Sequence, residues 1–173
     1  MLYLLDANTL IDAKRDYYPI ERVPEFWDWL IFKGQNGIIK IPIEMYEEFF
    51  DKKDKDANKD ELAEWSGNEE VKKSLLLNEE ADPLLVTKIT YEGYVSNPTD
   101  DELKKIGRDP FLVSYALNDI KNRCIVTTEV SKPSKQGANR HLPDVCRHFN
   151  IRCINNFQLI NELNFSTNWA TQI

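Results

Sequence analysis

The chain has 173 residues, of which 22 are lysine or arginine and 29 are aspartate or glutamate, so its formal net charge is −7. This length, with 42% hydrophobic residues, predicts one globular domain spanning residues 1–173. No apolar run approaches the ~18 residues that a membrane-spanning helix needs, and no signal peptide is recognisable, so we expect a cytoplasmic protein. The acidity argues against a large phosphate-binding surface. It leaves a nuclease open, because metal ions held by carboxylates supply positive charge.

Four short runs with strand-like hydrophobicity are separated by segments with helical periodicity. The runs are LYLL at 2–5, GIIKI at 37–41, CIVTT at 124–128 and IRCI at 151–154. Strands that alternate with helices favour parallel pairing, so we expect an α/β fold with three layers, α/β/α, around a central parallel sheet of four to five strands. Residues 52–106 have helical patterns broken by prolines and are expected to form a helical insert on the same domain.

Local signals place the beginnings of several helices. Asn8 or Thr9 is expected to cap the helix after the first strand. The apolar segment FWDWL at 26–30 has helical spacing and is expected to be core rather than a partner-binding surface. Asp109 and Pro110 begin a further helix, since aspartate is a common cap and proline is favoured in the first turn.

Acidic residues follow two of the predicted strands. Asp6 comes directly after the first strand and Glu129 after the third. Both should therefore reach the carboxyl edge of the sheet, where ligands bind in doubly wound folds. Asp109 stands at the start of a helix. Each residue also has a purely structural interpretation, because Asp6 and Asp109 could cap helices and the polar loop after Glu129 could solvate its carboxylate.

A fourth acid is expected on the helix that follows the second strand. Glu48 lies beside Phe49, next to the side of the helix predicted to be buried. Glu44 precedes Glu48 by four residues and could share its face, and Glu47 is a third candidate. The residues alone leave the choice among these three glutamates open.

Histidine and cysteine are sparse. Cys124 and Cys146 are expected to be small buried hydrophobic residues, and His141 and His148 belong to no metal-binding motif. A structural zinc site is therefore not expected. Carboxylate ligands without histidine or cysteine favour a hard cation such as Mg²⁺ or Mn²⁺.

Four motifs occur in a recognisable order: LLDANTLI, YEEFF, DPFLVSYAL, and VTTEV followed by LPDVC. Together they resemble PIN-domain proteins, and more narrowly the PIN-like bacterial family DUF4411, a domain of unknown function. FWDWL, ELAEW and the CINNFQLI segment extend the resemblance over nearly the whole chain. The resemblance implies a single PIN-like domain.

The resemblance also implies a metal site and its neighbours. The implied ligands of Mg²⁺ or Mn²⁺, which are also the implied catalytic residues, are Asp6, Glu48, Asp109 and Glu129. The fourth position in the wider superfamily is often an aspartate two residues after a threonine, so Glu129 after Thr127 is a departure. Asn8, Thr127 and Asp144 match positions that support the ligands by hydrogen bonds, although Asp144 could equally cap a helix.

A metal-dependent endoribonuclease is the implied activity, with hydrolysis of RNA phosphodiester bonds and a role as the toxin of a toxin–antitoxin pair. The implied partners are RNA and an antitoxin that combines a helix-turn-helix with a metallopeptidase-like domain; a homodimer is compatible, and no membrane is involved. Basic residues near the expected site are candidates for binding phosphate: Arg108, Lys132, Lys135 and Arg140, with Lys14 and Arg15 after the first helical turn.

Two other functions compete with this hypothesis. The sequence DANT loosely resembles the DxDxT loop of haloacid-dehalogenase-like phosphatases, in which Asp6 would be the nucleophile. Asn8 then replaces the acid that protonates the leaving group, which weakens the resemblance. The second alternative is a catalytically inactive PIN-like interaction module.

Overall fold

The structure is a computed structural model that describes residues 1–50 and 60–172. Four parallel strands form one sheet in the order β2-β1-β3-β4. The strands are β1 Leu2–Leu5, β2 Ile39–Lys40, β3 Arg123–Val126 and β4 Arg152–Ile154. The expected α/β fold with a parallel central sheet and helices in layers around it is therefore confirmed, with four strands in the described part of the chain.

Ten α-helices lie in the described residues: α1 Ala7–Asp12, α2 Pro24–Gln35, α3 Ile43–Phe50, α4 Glu61–Ser66, α5 Glu69–Leu75, α6 Pro83–Lys88, α7 Asp100–Ile106, α8 Asp109–Asn118, α9 Leu142–His148 and α10 Asn156–Glu162. π-Helical turns at Ala13–Tyr17 and Ile89–Tyr94 continue α1 and α6. Short 3₁₀ turns lie at Gly137–Asn139 and Trp169–Gln172. The predicted insert is helical where it is described, from α4 to α7, while its first part at 52–59 lies outside the described residues.

The second strand is shorter than the prediction of 37–41. Gly37 has a positive φ of 69°, which glycine adopts without strain, and it ends the turn before β2. Beyond β2, Ile41 forms an isolated parallel bridge with Leu76, which follows α5. The insert therefore adds a short backbone connection to this edge of the sheet.

The FWDWL segment is core, as its spacing predicts. Phe26, Trp27, Trp29 and Leu30 are each 1% exposed. Their rings pack against aromatic residues from distant parts of the chain, for example Phe26 against Phe165 at 5.5 Å between ring centroids. Burial of such large side chains removes a substantial apolar area from water and anchors α2 against the sheet.

The beginning of α1 differs from the expected cap. The N-cap position of α1 is Asp6 rather than Asn8 or Thr9, and the Asp6 side chain makes no capping hydrogen bond there. Thr9 instead donates to the Val126 carbonyl at 3.0 Å, joining α1 to β3.

None of the helices in residues 1–50 and 60–172 is long and apolar enough to cross a membrane.

Candidate functional site

The carboxyl ends of β1 and β3 meet at the point where the strand order reverses. From β1 the chain adds β2 on one side and then β3 and β4 on the other, which makes the β1–β3 boundary the switch point of the sheet. Leu5 pairs with Val126 in register, so Asp6 and Thr127 leave the sheet side by side. The Thr127 hydroxyl donates a hydrogen bond of 2.7 Å to Oδ2 of Asp6. This is the position at which doubly wound sheets bind ligands.

Asp6 is a buried acid, with 4% of its surface exposed. Burial is the main cause that raises the pKa of Asp6 to about 6; the carboxylates of Glu129 and Glu48 contribute to this rise, and the Thr127 hydrogen bond opposes it. The backbone N–H of Asn8 lowers this pKa slightly. The Asn8 side chain itself is exposed, so its contribution to Asp6 comes from the main chain.

Asp109, which is half-buried, is the second aspartate of this edge. It is the first residue of α8, and its N-cap is Arg108, so the expectation that Asp109 caps the helix is wrong. The hydroxyl of Tyr94 donates to Asp109 Oδ2 at 3.0 Å. Burial and the nearby carboxylate of Asp6 raise the pKa of Asp109 to about 8, with further like-charge contributions from Glu129 and Glu48.

The three glutamates of α3 have different surroundings. Glu48 is half-buried, and its charge raises the pKa of both Asp6 and Asp109. Glu47 is exposed and forms an ion pair with Arg108 at 2.9 Å. Glu44 accepts a long hydrogen bond of 3.4 Å from Tyr115. Of the three, Glu48 is therefore the one that acts on both Asp6 and Asp109.

Glu129 is fixed by the backbone on both of its sides. Its own N–H donates to the Thr127 hydroxyl oxygen at 3.1 Å, and its Oε2 accepts from the N–H of Leu142 at 3.0 Å. His141 Nδ1 lies 3.4 Å from the same oxygen and would form an ion pair if protonated. Thr127 thus contacts Asp6 through its hydroxyl hydrogen and Glu129 through its hydroxyl oxygen.

The four predicted acids therefore interact electrostatically across one end of the sheet. They stop short of a preformed chelate, because within residues 1–50 and 60–172 no group of three or more histidine, cysteine, aspartate or glutamate side chains is placed to hold a metal ion. The donor set nevertheless consists of carboxylates alone, which suits a hard divalent cation. Like charges that are buried together are costly unless a cation or protons compensate them.

A cavity of about 400 Å³ opens beside this cluster. Asp109 and Glu129 line it together with Tyr94 and His141. Its basic lining residues are Lys105, Lys132, Lys135 and Arg140. The three lysines are exposed, whereas Arg140 is half-buried. We call this space the basic cavity; it places cationic side chains next to two of the four acids.

The family model described as "Domain of unknown function (DUF4411)" matches residues 3–167. The chain belongs to the DUF4411 family. The matched region contains all four acids and the residues that line the basic cavity, so the candidate site of this DUF4411 protein lies wholly within the family's region. Comparisons with curated proteins and with solved structures found no match.

In the DUF4411 protein, several of the predicted phosphate-binding residues have structural partners. Arg108 donates to the Glu44 carbonyl and pairs with Glu47, so it joins α8 to α3. Arg140 donates to the carbonyls of Gly93 at 2.7 Å and of Asp144 at 2.9 Å. The half-buried Lys14 pairs with Asp60, and the exposed Arg15 pairs with Asp12 and Asp16. Lys132 and Lys135 are the predicted basic residues whose exposed side chains line the basic cavity.

Asp144 holds the loop after β3 rather than capping α9. The N-cap of α9 is His141, so the cap interpretation of Asp144 is wrong. Its carboxylate accepts hydrogen bonds from the Ser131 hydroxyl and from the N–H of Lys132, and it pairs with Arg147 at 3.1 Å. Burial alone would raise the pKa of Asp144, but these donors and the arginine charges lower it overall.

Sequence reasoning missed Tyr94, Lys105 and His141. Tyr94 lies at the end of a π-helical turn in the insert, and it reaches Asp109 only because the insert packs back on the sheet. Burial and the Asp109 charge hold the pKa of Tyr94 well above its ordinary value, so it remains a neutral donor. No pattern at these three positions distinguishes them from ordinary helix and loop residues.

Proposed function

We propose that this DUF4411 protein is a metal-dependent endoribonuclease that hydrolyses RNA phosphodiester bonds, related to the PIN-domain nucleases that its motifs resemble. The observation that carries the proposal is the pair formed by the buried Asp6 and the half-buried Asp109 at the switch point of the sheet. The pKa of each is raised, and the charge of Asp6 contributes to the rise at Asp109. Glu48 and Glu129 add to the same negative field. A site of this charge is poised to bind cations.

The ion that fits this donor set is Mg²⁺ or Mn²⁺, with Asp6, Glu48, Asp109 and Glu129 as its ligands. Because the four carboxylates stop short of a preformed chelate, the ion would have to draw the side chains closer than they stand. When bound, such an ion lowers the pKa of a water ligand and neutralises charge on phosphate oxygens. No serine, cysteine or histidine nucleophile is then needed.

The surrounding residues support this chemistry by position and charge. Thr127 orients both Asp6 and Glu129, and Tyr94 orients Asp109. Lys105, Lys132 and Lys135 line the basic cavity and can attract a phosphate toward the acids. The overall charge of −7 makes this local group of lysines the expected contact for the nucleic-acid backbone.

RNA rather than DNA is proposed on the resemblance to PIN-domain proteins. The same resemblance supports a role as the toxin of a toxin–antitoxin pair, with an antitoxin that carries a helix-turn-helix and a metallopeptidase-like domain. Expression of the chain with and without the product of the neighbouring gene tests that pairing. If expression of the chain does not slow growth, with or without that product, the toxin role is contradicted while the nuclease proposal stays intact.

The nuclease proposal is tested by cleavage of a mixed RNA pool in Mn²⁺. Asp6→Asn and Asp109→Asn should lose cleavage, while Asp101→Asn, at an exposed position on α7, should cut like the wild type. Equal cutting by wild type and Asp109→Asn would identify a contaminant and defeat the proposal. A phosphoryl group trapped on Asp6 would favour the phosphatase alternative, and failure of Mn²⁺ to bind the wild type would favour the inactive module.

A further inference from the structure

A second cavity, of about 440 Å³, also adjoins the carboxylate cluster, and its lining differs in chemistry from that of the basic cavity. It lies at the carboxyl ends of β3 and β4, and Glu129 lines both cavities. Thr128, Asn155, Asn156 and Phe157 are among its other lining residues. We call it the flanking cavity. The shared residue places it directly next to the candidate site.

Aromatic rings form one part of the flanking cavity. Tyr17, at the end of the π-helical turn after α1, and Phe157, on α10, contact each other edge to face with 5.1 Å between ring centroids. Both are unusually exposed for aromatic residues, Tyr17 at 46% and Phe157 at 51%. A flat apolar ring that is held in place by a neighbour and open to solvent is a suitable platform for stacking a planar ligand.

Uncharged polar groups form another part. Asn155, Asn156 and Gln158 line the flanking cavity beside the aromatic rings. Asn156 is only 3% exposed, and its Nδ2 donates to the Thr9 carbonyl at 3.1 Å. Its Oδ1 is buried and accepts no hydrogen bond from the described residues. An unpartnered buried amide oxygen is uncommon in proteins, and either a water molecule or a ligand in the cavity could supply its donor.

The two cavities differ in charge. The basic cavity contains lysine and arginine side chains, whereas the described residues that line the flanking cavity include one acidic residue, Glu129, and no lysine, arginine or histidine. A phosphate would gain little from the flanking cavity and would be repelled by Glu129. A neutral, planar group with N–H donors at its edge fits it better, and a nucleobase has these properties.

We propose that the flanking cavity binds one base of single-stranded RNA next to the cleavage site, with the base stacked on Phe157 and its edge facing the amides of Asn155 and Asn156. The inference rests on the proposed ribonuclease function and deepens it. The backbone on one side of the base would then pass over Glu129 toward the lysines of the basic cavity. This arrangement selects splayed single strands, because a base paired in a duplex cannot turn into the cavity.

Binding should be measured separately from cleavage. The full chain carrying Asp109→Asn, which is expected to be unable to cleave, is titrated into a fluorescently labelled single-stranded hexaribonucleotide and followed by anisotropy. Adding Phe157→Ala should weaken binding about 5- to 150-fold, the range for the loss of one base stacked on an aromatic ring. Phe157→Trp keeps a stacking face and should retain binding. The matched control is Tyr91→Ala, which removes an aromatic side chain that is 47% exposed and lines neither cavity.

A hexamer with one abasic position identifies the group that is bound. The abasic position is moved along the hexamer to find the nucleotide that faces Phe157. If Phe157 contacts a base, the hexamer that lacks this base should bind the Asp109→Asn chain equally well with and without Phe157→Ala. Phe157→Ala that weakens binding no more than Tyr91→Ala would overturn the inference, as would a failure of the hexamer to bind. The inference would also be overturned if Phe157→Ala abolished binding to the proposed antitoxin while RNA binding stayed unchanged.

Cleavage by the protein without Asp109→Asn separates the two proposals. Metal-dependent cleavage with no Phe157 effect on binding leaves the ribonuclease and removes the base site. Phe157-dependent binding without any cleavage leaves the base site and removes the ribonuclease. Phe157 is exposed, so Phe157→Ala should fold normally, and its urea unfolding midpoint checks this. Phe157→Trp supplies a second variant that keeps an aromatic ring at this position.

Discussion

The hydroxyl of Thr127 lies between two acids: it donates to Asp6 Oδ2 at 2.7 Å and accepts from the N–H of Glu129 at 3.1 Å. One small side chain therefore joins the end of β1 to the loop after β3. Because Thr127 is 1% exposed, water cannot replace either contact without rearrangement. The hydroxyl couples the positions of two proposed metal ligands.

Thr127→Val should lower the free energy of unfolding by about 1–3 kcal/mol at neutral pH, because it removes the side-chain donor of the buried Asp6 carboxylate. Thr127→Ser keeps the hydroxyl and should lose much less. Urea unfolding measures the difference. Thr87→Val is the matched control, since the Thr87 hydroxyl is exposed and bonds only within its own helix, to the Pro83 carbonyl at 2.7 Å. A loss as large in Thr87→Val would show that the Thr127 effect is not specific to Asp6.

The stability of the metal-free protein should fall as pH rises. The pKa values of Asp6 and Asp109, about 6 and about 8, lie above the ordinary value of 3.8, so the folded protein holds these protons more tightly than the unfolded chain does. The contribution to stability is complete below pH ~4 and is lost as pH rises through about 6 and then about 8. Each proton of difference changes the free energy of unfolding by about 1.4 kcal/mol per pH unit.

Asp109→Asn tests this pH dependence. The charges facing Asp109 are those of Asp6, Glu48 and Glu129, with the lysines of the basic cavity beyond them. In the variant, the loss of stability between about pH 6 and pH 8 should be reduced, as measured by urea unfolding in a divalent chelator. Asp101→Asn should keep the parental slope. An unchanged slope in Asp109→Asn would mean that Asp109 is ionised throughout this range.

Mn²⁺ should reverse the alkaline loss of stability. A ligand that binds only the folded state raises the free energy of unfolding by RT ln(1 + [L]/Kd), about 2.7 kcal/mol at a concentration of 100 times Kd. The increase should be larger at about pH 8 than at about pH 5, where protons compete for Asp6 and Asp109. Thermal unfolding of wild type and Asp6→Asn with added Mn²⁺ measures it. Equal shifts in both proteins would place the metal elsewhere.

Asp144→Ala should loosen the loop that carries Glu129 and Lys132. The carboxylate of Asp144 accepts from the Lys132 N–H at 2.7 Å and from the Ser131 hydroxyl. Removal should cost about 1.5–3 kcal/mol in the free energy of unfolding, the range for hydrogen bonds to a charged group. RNA cleavage should fall as well. Asp101→Ala serves as the control, and cleavage at the parental rate by Asp144→Ala would show that this loop does not position the site.

Gly34→Ala should destabilise the protein, although alanine in a helix is normally more favourable than glycine by about 1 kcal/mol. A Cβ at Gly34 would lie 2.6 Å from the Ser74 carbonyl oxygen and 2.7 Å from Leu75 Cδ2, so α2 and α5 would have to separate. Overpacking of this kind costs about 1–3 kcal/mol. Lys33→Ala on the same helix is the control for urea unfolding. A gain in stability from Gly34→Ala would mean that α5 moves away at little cost.

Strand and helix types followed from local pattern, but several details did not. The runs at 124–128 and 151–154 became β3 and β4 with small changes at their ends, because apolar β-branched residues suit a buried parallel strand. The 37–41 run became the two-residue β2, because the turn at Gly37 and the bridge from Ile41 to Leu76 take its ends. Hydrophobic periodicity contains no information about such pairings with distant segments.

Helix caps were predicted from residue type, and these predictions were wrong where the side chain forms tertiary hydrogen bonds instead. Asp109 and Asp144 both stand near helix starts, but Asp109 turns to Tyr94 and Asp144 turns to the loop at Ser131 and Lys132. These donors lie on other segments of the chain, 12 to 15 residues away in the sequence, beyond the reach of a local capping pattern. Capping preference is a local tendency that such contacts override.

The sequence alone determined the alternation of strands and helices, the acids that follow them and the absence of a histidine or cysteine metal motif, since these depend on residue type and short-range spacing. Only the tertiary structure decided which acids act on one another, that the charge of Glu48 rather than of Glu44 or Glu47 affects both aspartates, and that Tyr94 and Lys105 of the insert reach the site. It also decided that Glu129 lies between a basic and an aromatic cavity. These relationships arise from strand order and packing, which bring residues together across about a hundred positions of sequence.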